Sequence, residues 1–189
     1  KLLASQKVTL LFVFILLSCS QESSLETVKR TAFYMGTTLE IQVITDETEK
    51  ADETIQKAID EVERINQKYS TYIKDNFMAE LNAKQDTIEV DEETWFLLKK
   101  SEYMNNLTEG RFDPAIGNLI KIVGFEKGDP HLPSQWLIDS VLKTVGWKHV
   151  EVYNDSKFQL KNGVTINFGG IAKGYAVDRA FRELDIAGF

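Results

Sequence analysis

Residues 38–44, TLEIQVI, alternate Leu39, Ile41 and Val43 with Glu40 and Gln42. Period two predicts a half-buried β-strand. The Met35-Gly36-Thr37-Thr38 stretch before it reads as a turn. The period then changes. Ile55, Ala58, Ile59, Val62, Ile65 and Tyr69 recur at three- and four-residue spacing with charges opposite, which predicts an amphipathic helix over 51–69. A second helix is predicted in DEETWFLLKKSEYMNNLTEG, where Asp91 can cap the start, Glu92 and Glu93 suit the positive end of the dipole, and Gly110 lies beyond the end. A third occupies SQWLIDSVLKTVG, with Ser134 as cap and Gly146 as terminator. HVEVY, KFQLK and VTINF are short strand candidates, joined by turns at Asn154-Asp155-Ser156 and Asn162-Gly163. A last helix is expected over 173–184, with Tyr175, Ala176, Ala180 and Phe181 near one face, and LDIAGF reads as a turn into a further strand. Strands and helices mix without a regular βαβ repeat. The expected class is α+β, an antiparallel or mixed sheet with helices packed on it, incomplete at its C-terminal end.

The first residues fall outside this pattern. Lys1 and Lys7 precede an uncharged apolar run over 8–17. The run is too short to span a bilayer and has the length of a signal-peptide core. It ends in Leu16-Leu17-Ser18-Cys19, and Cys19 is the only cysteine of the chain. This resembles the bacterial lipobox, in which the cysteine is lipidated and becomes the new N-terminus. Three regions are therefore expected: a lipoprotein signal at 1–19, a polar tether at 20–30, and a folded domain over 31–189. The 189 residues are 43% hydrophobic and 27% charged, ordinary for a globular protein. The formal net charge of −7 argues against nucleic acid as a partner. An anionic ligand would need local positive features: a helix N-terminus, a lysine or a metal.

NFGGIAKGYAVD, residues 167–178, supplies such features. Three glycines sit between a strand-like run and a helix-like one. Glycine costs backbone entropy wherever it is ordered, so the cluster needs a reason. Exposed amides and the helix dipole favour phosphate, and Lys173 adds a cation. The spacing is neither a dinucleotide fingerprint nor a P-loop. The residues alone support contact with a phosphate-bearing ligand, or a tight turn whose glycines serve packing only. TEGRFDPAIGNL presents Arg111, Phe112 and Asp113 on a glycine-bracketed loop, and YSTYIKDNFMAELN places Tyr69 and Tyr72 where the long helix gives way to a loop, so that an exposed ring could stack on a flat ligand. Two histidines, no Ser/His/Asp ordering and no H-E-x-x-H leave no orthodox nucleophile or zinc site.

These three clusters, in this order and behind a lipobox, resemble the ApbE-like FAD:protein FMN transferases, from MGTTLEI to AKGYAVDRA. The resemblance implies binding of FAD and Mg²⁺ and transfer of the FMN half onto a Thr or Ser of client proteins. The clients it implies are subunits of membrane redox pumps on the extracytoplasmic face. By motif, Met35 matches a methionine bordering the flavin, and Tyr72 a tyrosine stacking on its ring. Arg111, Phe112 and Asp113 match a loop framing FAD. Asn167 stands where an acid commonly contacts the flavin, Lys173 matches a further FAD contact, and Gly170 matches a residue that lends its backbone carbonyl to Mg²⁺. Ala79, Ala115 and Val123 depart from the usual Ser, Thr and Trp. Members of the family continue into a segment whose Asp and Thr hold the metal. No catalytic side chain is implied. A lipoprotein that binds FAD or FMN without transferring it, or one that hydrolyses FAD, is the alternative.

Overall fold

The computed structural model describes residues 24–84, 86–125 and 128–189; the signal-like run and Cys19 lie outside them. Strands β1 (Glu26–Tyr34) and β2 (Thr37–Thr45) form an antiparallel hairpin, in register from Glu26 opposite Thr45 to Tyr34 opposite Thr37. Ile41, Val43 and Thr45 turn one face of β2 into the core, as the alternation predicts. Residues 26–30, expected in the tether, are instead the first half of β1. Their polar composition hid the strand. Arg30 lies opposite Ile41 and reaches Asp52 of the next helix at 2.8 and 2.5 Å, so a charged side chain ends on a partner at the rim of the inner face.

Helix α1 (Thr48–Tyr69) starts three residues before the predicted bound and buries Ile55, Ala58, Ile59, Val62, Ile65 and Tyr69. It packs against the hairpin and against α6 (Ala172–Ala187). Ala172, Ala176 and Ala180 recur every fourth residue on the buried face of α6, and such small side chains let two helix axes approach closely. Phe181, placed on that face by the sequence, is 63% exposed. The helix also runs on through Ala187, so LDIAGF begins as its last turn, which Gly188, at φ 87°, closes in the left-handed conformation.

Between these elements lie α2 (Phe77–Ala83), β3 (Ile88–Glu89), α3 (Glu92–Leu107), α4 (Gly117–Val123), α5 (Gln135–Val141), β4 (Val150–Val152) and β5 (Lys157–Leu160). A small antiparallel sheet has the order β3-β5-β4. Asp91 caps α3 as predicted, accepting from the Thr94 amide at 2.9 Å, and Ser134 caps α5. Helix α5 stops at Val141, short of Gly146. The third predicted strand, VTINF, joins neither sheet. It runs extended beneath the core with Val164, Ile166 and Phe168 fully buried, and its backbone is satisfied elsewhere. The Asn82 amide bonds both the N–H and the C=O of Ile166, the Gly117 amide donates to Thr165, and the Asn167 amide donates to Pro114. Phe168 opens a single 3₁₀ turn, Phe168–Gly170, that leads into α6. The observed class is α+β, as expected, with two small antiparallel sheets.

Candidate functional site

A cleft of about 470 Å³ opens where three elements converge. The first wall is the hairpin tip. Met35 and Gly36 both take positive φ, 54° and 72°, so a two-residue turn reverses the chain and sets the half-buried Met35 at the cleft. The second wall is the end of α1 and the loop after it. Tyr69 is buried, its ring edge-on to Phe168 at 5.6 Å and to Phe77 at 6.1 Å. Tyr72, three residues on, is 65% exposed and lines the cleft. Of the two tyrosines singled out by sequence, one finishes the core and the other presents its ring.

The third wall is the glycine turn and the start of α6. Asn167 lines the cleft and ties two walls together: its Oδ1 accepts from the Gly169 amide at 2.7 Å and its Nδ2 donates to Thr71 Oγ1 at 3.1 Å. Helix α6 has no side-chain cap. The amides of Ala172, Lys173 and Gly174 have no partner among the described residues, and a Cβ on Gly174 would meet open space. Lys173 lines the cleft and makes no ion pair or hydrogen bond among the described residues. An ammonium, free amides and the positive end of a sixteen-residue helix therefore meet at one place.

The loop carrying Arg111, Phe112 and Asp113 is brought only partly to this cleft. Phe112 lies against the glycine turn: a Cβ on Gly170 would stand 3.1 Å from its ring. Asp113 faces away and is spent on the backbone, its two oxygens accepting from the amides of Ala115 and Trp147, each at 2.8 Å. Arg111 is exposed and bonds Thr108 O and Glu109 at 3.2 Å. Neither lines the cleft. The Gly170 carbonyl accepts no hydrogen bond among the described residues. It offers one oxygen, whereas Mg²⁺ takes about six. No group of three His, Cys, Asp or Glu that could hold a metal occurs among the described residues. These residues do not by themselves fit the ion.

A profile of the ApbE family matches residues 35–189. The chain belongs to the ApbE family. Curated relatives named FAD:protein FMN transferase include one from Chlamydia pneumoniae, 28% identical over 169 residues, and one from Vibrio cholerae, 27% identical over 169. The alignments take in 86% and 87% of this chain but 52% and 51% of those proteins, so the chain spans about half the length of the curated relatives it matches. Among solved structures, the ApbE protein of Thermotoga maritima superposes with a TM-score of 0.78 at 32% identity, covering 86% of this chain and 54% of that one. The flavin transferase ApbE of Vibrio cholerae gives 0.73 at 26%, covering 87% and 55%.

Sequence reasoning missed the shell that holds the ApbE cleft in shape. Helix α2 has no counterpart in the sequence reading, although Asn76 followed by Met78 and Leu81 carries a cap and a short apolar period. Asn76 works in both directions: its oxygen accepts from the Ala79 amide, and its nitrogen donates to Gln67 O and Ser70 O at the end of α1. Glu93 was read only as a favourable charge at a helix start. Its carboxylate accepts from both Arg64 Nη atoms at 2.5 and 3.0 Å, from Lys68 at 2.8 Å, from Tyr175 at 3.0 Å and from Tyr69 at 3.3 Å. Burial alone would raise this carboxyl, but the bonds from Arg64, Lys68 and Tyr175 outweigh it and hold it at about 2. Burial, and then the bond to Glu93, push the Tyr175 hydroxyl up to about 12.

Proposed function

We propose that this chain carries the flavin-nucleotide cleft of an FAD:protein FMN transferase. The observation that carries the reading is the convergence, in a protein of the ApbE family, of Lys173 and three α6 amides, all without a partner among the described residues, with an exposed Tyr72 on one cleft. The diphosphate of FAD would lie on the α6 start, where amides and ammonium offset its charge. Tyr72 would present a face to the isoalloxazine ring, with Met35 at its border. Gly169 lines the cleft without a side chain, and Gly170 leaves room for the Phe112 ring behind it.

In the proposed reaction a Thr or Ser hydroxyl of a client protein bonds to the FMN phosphorus. The bond to the AMP oxygen breaks, AMP leaves and the hydroxyl loses its proton. The residues of this chain bind and orient the nucleotide; none is assigned as nucleophile. Mg²⁺ remains part of the proposal, with Gly170 O as one ligand and the others outside the described residues. Redox-pump subunits as clients, and attachment through a lipid on Cys19 at the extracytoplasmic face of a bacterial membrane, belong to the same proposal. The support is the order of charge, apolar run and cysteine in residues 1–19.

Incubating the protein with FAD, Mg²⁺ and a client domain should give an adduct that fluoresces in a denaturing gel, with release of AMP. Binding of FAD without AMP release under any divalent ion would select a non-catalytic flavin carrier. Release of AMP and free FMN without an adduct would select an FAD hydrolase.

A further inference from the structure

Glu93 lies outside the cleft, yet it contacts the elements that make two of the cleft's walls. Arg64, Lys68 and Tyr69 belong to the last turns of α1, whose end carries Asn66 and Tyr69 into the cleft. Tyr175 belongs to the first turn of α6, two residues after Lys173. Glu93 itself stands in the first turn of α3 and its side chain is only 16% exposed. The five bonds it accepts come from these two helices alone. Lys68 also sits 5.1 Å over the Tyr69 ring and 5.2 Å over the Phe77 ring, so the same cluster presses on the aromatic floor against which Phe168 rests. Phe168, Ala172 and Ala176 anchor the uncapped start of α6 in the core, and the Tyr175 ring lies 5.6 Å from that of Phe96 on α3, but Gly169, Gly170, Lys173 and Gly174 are exposed, so the bond to Glu93 is the polar tie of this turn. Arg179, one turn past Tyr175, adds a second tie to Glu61 of α1 at 2.9 Å, farther from the cleft.

We infer that Glu93 is a positioning residue for this cleft: a single carboxylate fixes the first turn of α6 against the end of α1 and so sets where Lys173 and the free amides stand relative to the Tyr69–Tyr72 wall. The inference rests on the flavin-nucleotide reading of the cleft. It makes Glu93 a determinant of nucleotide affinity that touches no nucleotide. Tyr175 is the link between Glu93 and α6, because the Arg64 and Lys68 bonds stay within the α1–α3 pair.

The test combines two measurements on the protein and on E93Q, Y175F and the double variant, all well below their melting temperatures. FAD affinity is read by quenching of flavin fluorescence. Amide hydrogen exchange at Tyr175 and Ala176 is read without ligand. E93Q should lose about tenfold in affinity and Y175F several-fold, and the double variant should lose no more than E93Q alone. Exchange at Tyr175 and Ala176 should quicken in each, while α5 stays as in the parent. Should E93Q not fold, Y175F, which removes only a hydroxyl, carries both measurements. Parental affinity in a folded E93Q, losses that add in the double variant, or unchanged exchange at Tyr175 would each overturn the inference. A parent protein that binds no FAD at any metal concentration would sink the flavin reading instead, and the exchange data would still decide whether Glu93 fixes α6.

Discussion

Lys173 owes its availability to its neighbours. Helix α6 begins without a side-chain cap, and among the described residues no carboxylate pairs with Lys173 and the first amides remain open. A charge-assisted hydrogen bond contributes about 1.5–3 kcal/mol, so Lys173→Ala should weaken FAD binding by at least about tenfold in a fluorescence titration. The melting temperature should stay close to the parent's, because Lys173 is exposed. Gly117 is a glycine of the opposite kind, needed for close approach. A Cβ there would stand 2.5 Å from Thr165 Oγ1 and 3.0 Å from Thr165 O. Gly117→Ala must push the extended 164–167 segment away and break the Gly117 N–H bond to Thr165 O. It should cost about 1–3 kcal/mol in denaturant unfolding. Single residues of these two kinds were differently legible. The glycine turn announced itself by composition and Lys173 was found through it, while Tyr72 stood out as an aromatic where the long helix gives way to a loop. Asp113 was as conspicuous, yet its carboxylate spends both oxygens on backbone amides that only the fold brings near.

At the level of elements, the long amphipathic helix, the β2 alternation and the caps at Asp91 and Ser134 were readable because each is a local pattern. β1, α2 and α4 were not. β1 is polar on both faces apart from Val28, Ala32 and Tyr34 on its inner side and Phe33 at its end. α2 and α4 have seven residues each, so that α2 shows only the single apolar step from Met78 to Leu81 and α4 buries only Gly117. VTINF has the composition of a strand but makes its bonds with a side chain and two loops. These short elements depend on joints between them. Asn76→Ala removes the cap of α2 and two bonds to α1 carbonyls at once, and should cost about 1–2 kcal/mol in thermal or denaturant unfolding. The Glu93 joint adds a pH dependence. Its carboxyl is at about 2 in the folded protein, below the unfolded carboxylate value of about 4.3. A depressed folded value means stability that is fully present above the unfolded value and is lost as pH falls toward the folded one. Between about pH 5 and pH 2 the parent should therefore lose more of its melting temperature than E93Q does. Equal slopes in the two proteins would remove Glu93 from the account.

For the whole molecule, burial is one-sided. The inner faces of the hairpin, α1 and α6 share a core, but the outer faces of β2 and α6 do not close on anything described here. Ile44 is 64% exposed on the outer face of β2 and Phe181 63% exposed on α6. Together with Leu25 and Phe189 they line a groove of about 640 Å³. Scattered apolar side chains are normal at a protein surface, but several around one groove make an adhesive patch. Neither Ile44 nor Phe181 is buried, so replacing both should leave folding within about 0.5 kcal/mol of the parent. The double variant I44T/F181S should accordingly keep its melting temperature, and at high concentration its apparent mass by light scattering should lie below the parent's. The alternation that placed Ile41 and Val43 inward also placed Ile44 outward, so half of this patch was written in the strand period. Phe181 was assigned to the wrong side of its helix, because at a hundred degrees per residue it adjoins the alanine stripe at Ala180 and only the packing of α1 decides where that stripe ends. A double variant with the parent's apparent mass at every concentration would leave the groove as solvent-facing surface without consequence.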